Sequence, residues 1–123
     1  MTILHIRPII QIMRNLNAYL DIKVKPTVPQ PQGVSFIGVA KTSLEFCGAV
    51  IAQNPDKSYA MDEKGCNTVR FYPQRTVPQM KSALRFGLGE IERSGVLSIV
   101  SAKVFPKNAE IPISRLKAAI NQE

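Results

Sequence analysis

CNTVRFYPQRTVPQMKSALRFGLGEIERSG, running from Cys66 to Gly95, changes its apolar period from that of a strand to that of a helix, and this change decides the fold class. In its first part Val69 and Phe71 alternate with Thr68, Arg70 and Tyr72, the pattern of a half-buried strand, because successive side chains of an extended backbone point to opposite faces. Pro73 ends the strand. Thr76 and Gln79 then stand at the spacing of a capping box, with Pro78 in the first turn, where its missing N–H has no intrahelical acceptor to lose. Val77, Met80, Leu84, Leu88 and Ile91 follow at three- and four-residue steps, so the spacing predicts an amphipathic helix near 76–94 whose apolar stripe packs on a sheet. Gly87 and Gly89 weaken that helix, and close approach to a neighbouring strand is a reason to keep them. Gly95 serves as its C-terminal cap.

Outward from this stretch, Leu20, Ile22 and Val24 alternate with Asp21, Lys23 and Lys25, which predicts a strand over 19–25 with a lysine-bearing outer side. PTVPQPQG, residues 26–33, holds three prolines and a glycine and reads as a rigid loop. VSFIGV (34–39) and LEFCGAVIA (44–52) are rich in β-favouring residues and are expected to pair as strands, with Gly38 and Gly48 marking bulges or sharp bends. Residues 53–65 form an exposed connection in which Asp62 and Glu63 are solvated carboxylates. Val96 to Phe105 is a further strand, with Leu97, Ile99 and Val104 inward; its irregular alternation predicts a bulge or burial on both faces. Pro106, Lys107 and Asn108 make a turn, and Ile113, Leu116 and Ile120 have the spacing of a short C-terminal helix.

The sum is an α+β fold: a small curved, mainly antiparallel sheet of about five strands, barrel-like at the limit of its curvature, with one long helix and a short C-terminal one. With 123 residues, 45% hydrophobic and 20% charged, the chain reads as a single folded domain over 1–123. Residues 1–15, containing ILHIRPII, form an N-terminal strand or arm. Pro8 and the internal Arg7 and Arg14 make this segment a poor targeting peptide, and nothing in the chain reaches the roughly 18 apolar residues of a spanning helix. No membrane partner is expected. Cys47 and Cys66 match no metal or redox spacing, so two reduced thiols, no metal and a cytoplasmic location are expected.

An enzyme is not expected. His5 is the single histidine and has no acid or nucleophile beside it in the sequence, and the phosphate-loop, dinucleotide, zinc-protease and serine-hydrolase motifs are all missing. No cofactor follows from any motif. The departure from the ordinary is charge: net +7, with Lys64, Arg70, Arg75, Lys81 and Arg85 in a stretch that meets no acid until Glu90 and that also carries Phe71, Tyr72 and Phe86. Lys and Arg neutralise phosphates with release of counterions, and exposed rings stack on unpaired bases. The two predicted helices are separated by a strand, which disfavours a helix-turn-helix, and Thr68 to Tyr72 lacks the glycines of the RNA-recognition signature. Single-stranded DNA or RNA, bound with weak sequence preference, is therefore the expected partner, through Arg70, Tyr72, Arg75, Lys81, Arg85, Lys23 and Lys25. This requires those side chains to share one surface. The competing class is a protein-interaction module, an adaptor, inhibitor or assembly subunit, using a strand edge or the apolar N-terminal arm, with a homodimer formed through that arm.

Overall fold

The structure is a computed structural model, and it describes residues 18–121. The expected N-terminal strand or arm, and with it the arm-mediated dimer, lies outside the described residues. Five strands form one antiparallel sheet: β1 (Tyr19–Pro26), β2 (Ala49–Ile51), β3 (Asn67–Phe71), β4 (Leu97–Phe105) and β5 (Ala109–Ile111), in the spatial order β2-β3-β1-β4-β5. The described helices are α1 (Phe36–Val39), α2 (Lys41–Phe46), α3 (Val77–Arg93) and α4 (Ile113–Ile120).

This order interleaves two split β-α-β units. β1 leads through α1 and α2 to β2, with β3 inserted between the two strands; β3 leads through α3 to β4, with β1 inserted. The result is the β-α-β-β-α-β pattern called ferredoxin-like, extended by the β4–β5 hairpin and α4. Among the described residues the sheet stays open, with β2 and β5 as its outer strands, so the barrel-like form is not adopted.

One face of the sheet is the core. Leu20, Ile22 and Val24 of β1 are fully buried, as are Val69 and Phe71 of β3 and Val104 of β4, and they meet Met80, Leu84, Leu88 and Ile91 of α3 and Leu116 of α4. Each such aliphatic side chain contributes about 1.5–3 kcal/mol through burial. α3 starts as its sequence specifies: the Thr76 hydroxyl accepts from the Gln79 N–H at 3.2 Å. Gly87 allows the helix to close on the sheet, since a Cβ there would lie 2.6 Å from Cζ of Phe71. Gly89 has no such neighbour and faces open space.

The region 34–48 corrects the sequence reading. In place of two paired strands it forms the helices α1 and α2, and only Ala49–Ile51 is extended. Ile37, Ala40 and Leu44 recur at three- and four-residue steps and are buried together, so helical period overrides the β-favouring composition of VSFIGV. Gly48 is no bulge; it adopts φ +81° after the last turn of α2, donating to the Glu45 carbonyl at 3.0 Å. Gly38 lies within α1, where the Tyr59 ring packs against it. The predicted irregularity of β4 is a bulge: pairing with β1 steps from Lys23↔Ser101 to Val24↔Ile99, leaving Val100 unpaired and half exposed.

Candidate nucleic-acid interface

The other face of the sheet carries no described element over its strands, and register determines which residues meet there. Val50, Arg70, Asp21, Lys103 and Glu110 form one row across all five strands, through the pairings Val50↔Arg70, Asp21↔Arg70, Asp21↔Lys103 and Lys103↔Glu110. The next row on one side is Thr68, Lys23 and Ser101; on the other, Tyr19 stands opposite Phe105. Lys25 continues the lysine side of β1 and is exposed.

Tyr19 and Phe105 stack with ring centroids 5.2 Å apart and planes inclined by 17°. The Arg70 guanidinium sits 3.9 Å from the Tyr19 ring centroid. Because β3 and β4 flank β1 on opposite sides, Arg70 and Phe105 cover opposite faces of Tyr19, and the three groups make a column across the sheet. Phe105, half-buried, ends the column, and its outer ring face is covered by neither Tyr19 nor Arg70. Arg70 is held by Asp21, to which Nε donates at 2.8 Å and Nη2 at 3.1 Å, a two-pronged contact that fixes the guanidinium plane. The Asp21 carboxylate holds that guanidinium still more firmly protonated than usual, with a further contribution from Tyr72. Tyr72, 43% exposed, follows Arg70 on the same side of the chain.

A groove of about 820 Å³ runs over this face between β4–β5 and the segment after β2, lined among others by Lys23, Asp62, Ser101, Lys103, Phe105 and Glu110. Its wall is built by Asp62, whose carboxylate accepts from the backbone N–H groups of Lys64 and Cys66, both at 2.9 Å, and lies 3.5 Å from the Lys23 ammonium. These contacts, the Cys66 N–H first, hold the Asp62 carboxyl below the usual carboxylate range. Asp62 therefore organises the loop in addition to being solvated.

The sequence-predicted residues divide between two layers. Lys23, Lys25, Arg70 and Tyr72 share the outer sheet face. Lys81 and Arg85 belong to α3, on the opposite layer, where the Arg85 guanidinium donates to the Ile120 carbonyl and so ties the end of α4. Arg75 lies at a second cleft, beside the start of α3, lined by Cys47, Gln74, Pro78 and the tilted ring pair Phe46 and Phe86. Phe46 is 84% exposed there, and burial pushes the Cys47 thiol up. The requirement that Arg70, Tyr72, Lys81 and Arg85 share one surface is not met.

Sequence reading also passed over Tyr19, Phe105, Lys103 and Glu110. Tyr19 was within reach, since the period-two pattern of β1 places it with Lys23 and Lys25. Phe105 meets it, and Glu110 meets Lys103, through cross-strand register, which no single segment reveals. Among the described residues no group of His, Cys, Asp and Glu is arranged to hold a metal ion, and no described helix is long and apolar enough to cross a membrane. No family model, no curated protein and no solved structure matches the chain.

Proposed function

We propose that the protein binds single-stranded nucleic acid on the outer face of its sheet. The observation that carries this reading is the Arg70–Tyr19–Phe105 column, set on inner strands of the face that also carries Lys103, Lys23 and, toward its other end, Lys25. Unpaired bases stack on aromatic rings with about 1–3 kcal/mol per base, while lysines beside them neutralise the backbone. Open four-stranded sheets with aromatic rings on their central strands read RNA in this way, and a sheet face suits splayed single strands better than a closed duplex. The fold-level analogy is secondary to the site itself.

The face is not uniformly basic. Asp21 neutralises Arg70 and Asp62 approaches Lys23, so stacking supplies more of the contact than a purely electrostatic groove would. Arg70 is then a positioning residue that orients Tyr19, and phosphate contacts fall to Lys23 and Lys25. The free thiols Cys47 and Cys66 suit a reducing, cytoplasmic setting for this activity.

The test is fluorescence anisotropy with labelled single-stranded and duplex oligonucleotides at low and near-physiological salt. Phe105→Ala and, at the exposed end of the same face, Tyr72→Ala are each expected to weaken single-strand binding by about tenfold or more. Equal affinity for duplex and single strand, or unchanged binding by both variants, would remove the sheet face from the account.

A further inference from the structure

The outer face ends in a pair of opposite charges that the stacking column does not use. Lys103 and Glu110 stand directly opposite each other on β4 and β5, and both line the groove that Phe105 also lines. Directly opposed side chains on neighbouring strands have Cβ atoms about 4.5–5.5 Å apart. Among the described residues neither is in an ion pair or hydrogen-bonded through its side chain, in contrast to Arg70 with Asp21 and Lys23 with Asp62. The groove thus offers an ammonium donor and a carboxylate with two acceptor oxygens, side by side, next to the one ring face of the column that no other member covers.

We infer that this end of the groove is a guanine-selective subsite within the bound strand, an inference that rests on the proposed single-strand binding. A base stacked on the outer face of Phe105 would lie toward β5, with its pairing edge toward Lys103 and Glu110. Guanine presents two adjacent donors on that edge, N1–H and the 2-amino group, followed by the O6 acceptor. A carboxylate accepts both donors with its two oxygens, and the neighbouring ammonium donates to O6. The other bases do not match. Thymine and uracil have one N–H between two carbonyls, which sets a carbonyl oxygen against the carboxylate. Cytosine and adenine have a single amino group followed by a ring nitrogen acceptor, leaving one carboxylate oxygen without a donor.

The experiment measures the affinity of the full chain for a thymidine 12-mer and for the same strand with one central dG or one central inosine, which lacks the 2-amino group. The dG strand is expected to bind about tenfold more tightly than the all-thymidine strand, toward the lower end of what a two-pronged base contact provides. Inosine should recover only part of that ratio, and Glu110→Gln should bring the dG-to-thymidine ratio to about one. Equal affinity of wild-type protein for the dG and thymidine strands, both bound, would overturn guanine selection and leave the proposed function standing. A dG preference that inosine reproduces in full, or that Glu110→Gln retains, would overturn the assignment of the 2-amino contact to this carboxylate. Absence of binding to every strand would overturn both readings.

Discussion

Gly87 and Gly89, two residues apart on α3, separate two reasons for a glycine in a helix. Each lowers helix propensity by about 1 kcal/mol relative to alanine. At Gly87 a methyl group would meet the Phe71 ring at 2.6 Å and the Cys47 sulfur at 3.3 Å, and Phe71, 1% exposed, has nowhere to retreat. Overpacking of this kind costs typically about 1–3 kcal/mol, enough to outweigh the propensity gain. At Gly89 nothing lies within 4 Å of the added methyl. Gly87→Ala should therefore destabilise the protein by about 1–2 kcal/mol and Gly89→Ala stabilise it by up to about 1 kcal/mol. Urea denaturation of the two variants checks the opposite signs. The sequence supports suspecting both glycines of a close approach, and only the partner ring distinguishes them.

At the scale of elements, legibility followed how local each signal is. β1, β3 and α3 are specified within their own segments, by alternation and by the Thr76 cap, and they appear where expected. Residues 36–46 carry two conflicting local signals, β-favouring side chains and a helical Ile37–Ala40–Leu44 period, and the core selects the second because only a helix brings all three to one face. The groove wall is a further element whose stability is readable only in three dimensions. Asp62 closes it through the Lys64 and Cys66 N–H groups and through Lys23. The carboxyl is held below its ordinary value, so its contribution to stability is present above the unfolded value of about 4 and is lost as pH falls through the lower folded value. Asp62→Asn keeps the shape and removes the charge. Its melting temperature should fall below that of the wild type at pH 7, and the gap should close as the pH falls through the lowered folded value of Asp62 and its carboxyl takes up a proton. A gap independent of pH would assign the role of Asp62 to shape alone.

The net charge of the chain is +7, and its described cations lie on both layers of the molecule, which separates general attraction from site binding. A polyanion attracted only by overall charge would respond alike to the loss of any cation, because long-range steering depends on the summed field. A strand seated on the sheet would not. Lys25 is exposed on the outer face, whereas Lys81 lies on α3, with the sheet between it and the stacking column. Each phosphate neutralised by a seated lysine releases its counterion, at a slope of about −0.7 per contact for single strands in log affinity against log salt. Lys25→Ala should therefore make the salt dependence shallower by about that amount, while Lys81→Ala should leave the slope unchanged and alter affinity by less than about twofold. The measurement is anisotropy over a salt series with one single-stranded oligonucleotide. Equal changes of slope in both variants would mean that the charge acts from the molecule as a whole, and the sheet face would lose its claim to be where the strand lies.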